Sequence, residues 1–136
     1  GGRRLVVIDD SIVRGTTMSQ IVGMLRDAGA AEVHLRISSP PILWPCFYGI
    51  DMATRDQLMA ANRSVDQMAE DFRATSLAYL SLDGLQASLG RPASRYCRAC
   101  LTGDYPVAPP DTGVAAACGS VEEQDHRAGN GEPVRS

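Results

Sequence analysis

The run Leu5-Val6-Val7-Ile8, followed at once by Asp9-Asp10, constrains this chain more than any other feature. Consecutive β-favouring apolar residues without polar alternation fit a strand buried on both faces of a parallel sheet. Such a strand delivers its last residues to the carboxyl edge of the sheet, where α/β folds bind ligands. A polar loop follows through Gly15, with Thr16 or Thr17 placed to cap a helix. Met18, Ile21, Val22 and Leu25 then recur at helical spacing, and Gly29 stands where a C-terminal cap belongs. Glu32 to Ile37 alternates around Val33, Leu35 and Ile37 as a second strand. Strand, loop, helix, strand is a βαβ unit, which predicts an α/β fold built on a parallel sheet.

The remainder reads as shorter elements. Pro40, Pro41 and Pro45 exclude a helix between Ser38 and Asp51. Thr54-Arg55-Asp56-Gln57 and Ser64-Val65-Asp66-Gln67 both have capping-box spacing, so each is expected to start a helix. Val65, Met68, Ala69 and Phe72 give the second of these an apolar face. Leu77 to Leu80 reads as a strand. Ser81 caps a further helix carrying Leu82, Leu85 and Leu89 and closed by Gly90. Beyond Pro106 large apolar residues become rare, and residues 108–136 are expected to be a disordered tail. The chain opens with Gly, and a strand begins only a few residues later. This predicts the later part of a larger domain, with some of the core missing. The expected division is 1–53 for the sheet and loop, 54–107 for a mainly helical portion, and 108–136 for the tail.

Composition removes several functions. All 13 basic residues are Arg. Without Lys there is no Schiff-base chemistry and no Walker-type phosphate loop. A net charge of −3 gives no footprint for nucleic acid. No apolar run approaches the roughly 18 residues of a membrane span, and no signal peptide opens the sequence, so a cytoplasmic location is expected.

The segment from Val6 to Thr17 carries the chemistry. Two carboxylates arrive at a sheet edge beside a short loop with a Gly and several hydroxyls. The helix that follows offers unpaired N–H groups and the positive end of its dipole, which suits a phosphate. Acids on one side and an anion cradle on the other match a ribose 5-phosphate. The plainer alternative is that Asp9, Ser11 and Thr17 only cap a turn and a helix.

The segment resembles the phosphoribosyl pyrophosphate signature of type I phosphoribosyltransferases: apolar strand, acidic pair, and a loop ending Gly-Thr-Thr. That resemblance implies part of their fold, with its Rossmann-like parallel sheet. It implies that Asp9 and Asp10 bind the ribose hydroxyls and belong to the magnesium environment. It also implies that Ser11, Ile12, Val13, Arg14, Gly15, Thr16 and Thr17 wrap the 5-phosphate. Arg14 is either a charge at that phosphate or a solvated loop residue.

Cys97-Arg98-Ala99-Cys100 lies in an expected loop, and Cys46 sits in the Pro-rich stretch. By spacing alone, this set is a metal or cluster site or a group of ordinary thiols. Two further segments resemble amidophosphoribosyltransferases. One runs from Ser38-Ser39-Pro40-Pro41 to Pro45-Cys46-Phe47-Tyr48-Gly49-Ile50-Asp51-Met52. The other runs from Tyr96 through Cys97 and Cys100 to Pro106. The likeness covers residues 3–107. In the iron–sulfur branch of that family it implies that Cys46, Cys97 and Cys100 are ligands of a 4Fe-4S cluster, with the fourth ligand outside this chain. Cys118 matches no ligand position and reads as a spare thiol. His34 and His126 read as uninvolved in catalysis, and Asp51 reads as structural, although the resemblance implies that purine-nucleotide effectors bind near this part of the fold.

The family reaction joins glutamine-derived ammonia to phosphoribosyl pyrophosphate, giving 5-phosphoribosylamine, glutamate and pyrophosphate, the first step of purine synthesis. The resemblance places the glutaminase nucleophile outside this chain, which then holds no catalytic nucleophile and is expected to be inactive alone. Purine-nucleotide effectors and a homo-oligomeric full-length enzyme are also implied. Competing readings are another type I phosphoribosyltransferase, a non-catalytic phosphoribosyl pyrophosphate or nucleotide sensor, and a zinc module on the three cysteines.

Overall fold

A computed structural model describes residues 1–51 and 54–109. Cys118, His126 and nearly all of the expected tail lie outside the described residues.

The strands read from the apolar pattern form one parallel sheet. β1 spans Arg4–Asp9, α1 Thr16–Asp27 and β2 Glu32–Ile37. β3, Ser76–Tyr79, pairs with the other side of β2, so the order is β1-β2-β3. Val7 stands opposite Leu35, and Leu35 opposite Leu77, which sets one apolar row across the sheet. The sheet therefore draws strands from both sides of residues 52–53. The alternation in β2 buries Val33, Leu35 and Ile37. Met18 and Val22 of α1 close over them with Met68 of α3 (Val65–Asp71), Phe72, Ile12 and Leu77. Removing such side chains from water is the main source of stability here, at roughly 1.5–3 kcal/mol for each fully buried one.

The other face of the sheet differs from the expectation. Val6 and Ile8 are 63% and 75% exposed, so β1 is buried on one face only. It is an edge strand, and among the described residues no element covers its outer side. That face carries a polar ladder. Glu32 accepts from Arg4 Nε at 2.6 Å and lies 2.8 Å from His34 Nε2. The other His34 nitrogen is 2.9 Å from Ser76 Oγ, which also accepts from Arg36. His34 is thus outward-facing, as alternation predicts, with its polarity absorbed by neighbouring strands.

Two helix starts behave as the sequence suggests. Ser64 and Gln67 form a complete capping box at α3. Ser81 accepts from the Gly84 amide at the head of α4, Leu82–Leu89, which Gly90 closes. The Thr54 box does not form. Arg55–Gln57 is a single 3₁₀ turn without a side-chain cap, followed by the one-turn α2, Met59–Asn62. The Gln57 amide donates to the Thr54 backbone carbonyl at 2.9 Å instead, and the Asn62 side-chain amide donates to the carbonyls of Arg55, Asp56 and Leu58. Arg55 is also drawn away, its guanidinium 3.9 Å from the centroid of the Trp44 ring.

The last described segment folds back on the Pro-rich strap. The Cys97–Cys100 region is not wholly loop, because Cys100 lies in α5, Ala99–Thr102. The Cys100 carbonyl accepts from the amides of both Leu43 and Trp44 at 3.0 Å. Tyr105 donates to the Pro45 carbonyl at 2.8 Å, and the Val107 amide donates to the Tyr48 hydroxyl at 3.1 Å. No described helix is long and apolar enough to cross a membrane.

Candidate functional site

The carboxyl edge of the sheet opens into a cleft of about 470 Å³. Its lining includes Asp9 and the continuous run Ser11, Ile12, Val13, Arg14, Gly15, Thr16 and Thr17. Eight of the nine residues expected to bind a ribose 5-phosphate therefore border one space. The ninth, Asp10, is exposed beside the cleft and does not line it.

Backbone geometry holds this edge in place. The Asp9 carbonyl accepts from the amide and hydroxyl of Ser38, which ties the end of β1 to the end of β2. The Asp9 carboxylate accepts from the Asp10 amide at 2.9 Å. The Asp10 carboxylate accepts from the Ser11 hydroxyl at 3.0 Å. Each acid thus keeps oxygen lone pairs for donors from a sugar.

The start of α1 departs from the expected Thr cap. Gly15 is the N-cap, in the left-handed region at φ 78°, and no side chain caps the helix. Thr16 and Thr17 are its first two residues. The N-terminal amides of α1 therefore lack the side-chain oxygen that usually satisfies them, which leaves them for a ligand anion. Gly15 is required sterically as well as conformationally. A Cβ there would strike the Met59 sulfur and come within 2.9 Å of Phe72. The loop is thereby seated directly on the core.

Asp51 also lines the cleft. The sequence reading gave it only a structural part. It reaches the cleft through the fold of the strap from Ser38 onward, which no local spacing announces. Met18, read as core, contributes at the floor.

The three cysteines gather at the strap. Cys46 and Cys100 are half-buried and Cys97 is exposed, all as free thiols. Burial pushes the Cys100 thiol up, and its neighbours Cys46 and Cys97 push it in the same direction. Among the described residues, no group of three or more His, Cys, Asp or Glu stands where it could hold a single metal ion. Cys100 also packs, with Leu101 and Val13, against the buried pair Ile42 and Leu58. The cysteine segment and the cleft loop therefore share one small apolar cluster.

Comparison with known proteins gives a consistent picture. The chain is 54% identical over 110 residues to the amidophosphoribosyltransferase of Synechocystis, covering 81% of this chain and 22% of that protein. It is 55% identical over 111 residues to the amidophosphoribosyltransferase of Archaeoglobus fulgidus, covering 80% and 24%. Among solved structures it resembles the glutamine phosphoribosylpyrophosphate amidotransferase of Bacillus subtilis complexed with ADP and GMP. There the TM-score is 0.75 at 49% identity, covering 82% of this chain and 25% of that one. No protein-family model matches the chain. The chain is thus related to amidophosphoribosyltransferases and spans about a quarter of their length.

Proposed function

We propose that this chain is a segment of an amidophosphoribosyltransferase and supplies the ribose-phosphate half of its transferase site. The observation that carries this is the cleft. It joins a sheet-edge carboxylate to an uncapped helix start through one short loop, on a chain about half identical to these enzymes.

In this reading Asp9 and Asp10 accept hydrogen bonds from the ribose 2- and 3-hydroxyls. The amides and hydroxyls from Ser11 to Thr17 hold the 5-phosphate, with Arg14 adding charge at the rim. Fixing the sugar at both ends presents C1 to ammonia released from glutamine, and positioning of this kind supplies much of the rate. Ammonia adds at C1 as the bond to pyrophosphate breaks, giving 5-phosphoribosylamine. The acids also offset positive charge that develops on the ribose. Magnesium fits beside Asp9 and Asp10, since it uses one or two carboxylates together with substrate phosphates. When bound it would offset charge on the leaving pyrophosphate.

Cys46, Cys97 and Cys100 are proposed as three ligands of a 4Fe-4S cluster. The donor set is all thiol, as such a cluster requires. A zinc ion would need sulfurs about 2.3 Å from one centre. The three thiols influence one another without forming a single-ion site.

Residues 1–53 would then carry the sugar site, 54–107 the cysteine-bearing cover, and 108–136 a tail. The exposed outer face of β1 would be covered by the remaining three-quarters of the enzyme. A cytoplasmic homo-oligomer regulated by purine nucleotides completes the proposal.

The test uses a chimera in which residues 3–107 replace the matching segment of the Bacillus subtilis enzyme. Calorimetric titration with ribose 5-phosphate and magnesium should show binding, lost on Asp9→Asn. Equal binding by the variant would remove the sugar role of the acid.

A further inference from the structure

We propose that Asp51 is a substrate-contacting residue of this cleft that receives the amine nucleophile. The inference rests on the amidophosphoribosyltransferase reading and assigns a role within that site.

Asp51 lines the same space as Asp9 and the loop from Ser11 to Thr17, but it arrives from another part of the chain. It ends a strap fastened at several points. Ser38 is bonded to Asp9, the Trp44 ring lies against Arg55, and the Tyr48 hydroxyl is bonded to Val107. Gly49, at φ 108°, turns the backbone two residues before Asp51 in a way that L side chains rarely allow. Among the described residues nothing hydrogen-bonds or ion-pairs with the Asp51 carboxylate. Among those residues the carboxylate caps no helix and braces no loop, and it borders the cleft.

The chemistry of the cleft limits what a carboxylate there can face. The loop wall, with its open amides and Arg14, suits the 5-phosphate, which a carboxylate repels. The pyrophosphate is also an anion, and its magnesium is already assigned to Asp9 and Asp10. The ribose hydroxyls have Asp9 and Asp10. The remaining reactant is ammonia, a neutral molecule with three N–H donors that becomes cationic as it reacts. Its nitrogen lone pair forms the new bond to C1. The C1–oxygen bond to pyrophosphate breaks and its electron pair leaves with pyrophosphate. The nitrogen then carries a positive charge until one proton passes to water. A carboxylate accepting a hydrogen bond from that nitrogen orients it before attack and offsets its charge during attack.

The test uses the same chimera with ammonium chloride as the nitrogen source, so that glutamine hydrolysis is bypassed. Asp51→Asn should lower kcat/KM for ammonia on the order of 100-fold, with the KM for phosphoribosyl pyrophosphate within about twofold of the unsubstituted chimera. Asp51→Glu, which keeps the charge, should recover part of the loss. Unchanged ammonia kinetics in Asp51→Asn would overturn the inference. So would a rise in the phosphoribosyl pyrophosphate KM matching the loss, which would move Asp51 to the sugar. An unsubstituted chimera without turnover overturns the enzyme reading and this inference together, whereas an active chimera indifferent to Asp51→Asn overturns this inference alone.

Discussion

The Val13 carbonyl accepts a 2.9 Å hydrogen bond from the Met59 amide, so the middle of the cleft loop is tied to the start of α2. Met59 also stands where any side chain at Gly15 would have to go. The loop is held from below by the core as well as by its own turn.

Gly15→Ala should therefore be costly. It combines a left-handed φ of 78° with a collision against Met59 and Phe72. The backbone component alone is about 1–3 kcal/mol, and overpacking adds to it. Chemical denaturation of the chimera with and without the substitution measures this. Equal midpoints would mean that the loop does not rest on Phe72.

Much of this was legible in the residues. The βαβ unit follows from the apolar runs in β1 and β2 and the helical spacing from Met18 to Leu25, all of which express burial directly. The Ser64 box formed because nothing nearby competes for its amides. The Thr54 box is absent because the Gln57 amide donates to the Thr54 backbone carbonyl instead of its hydroxyl, in a turn whose carbonyls Asn62, outside the motif, takes. The outer face of β1 is open among the described residues, because an apolar run states what a strand is suited to and its cover must come from elsewhere. Asp51 was missed because a strap through three prolines gives no periodic signal of where it ends.

The thiols should react in a fixed order. Cys97 is exposed, while burial and its neighbours raise the Cys100 thiol and lower its thiolate fraction. Alkylation of the chimera without cluster, at about pH 7 and followed by peptide mass spectrometry, should label Cys97 first and Cys100 last. Faster labelling of Cys100 would contradict the packing against Ile42 and Leu58.

Glu32 gives a pH signature. The His34 hydrogen bond, with help from Arg4 and against some desolvation, holds its carboxyl below the usual value of 4.5. A depressed folded-state pKa stabilises the fold above the unfolded value and loses that effect as pH falls through the folded one. The stability difference between the native sequence and Glu32→Gln should therefore be full at about pH 6 and shrink at acidities below the ordinary carboxylate value. Thermal melts across that range measure it, and a constant difference would remove the Glu32–His34 contribution.

The most direct test of the central claim is glutamine-dependent release of pyrophosphate from phosphoribosyl pyrophosphate by the anaerobically prepared chimera carrying residues 3–107, with Asp9→Asn/Asp10→Asn as its partner. Turnover by the chimera, lost in the double substitution with the cluster iron unchanged, is the predicted result. A chimera that folds and retains iron but releases no pyrophosphate, or one indifferent to loss of both acids, would contradict the assignment of this segment to the phosphoribosyl site.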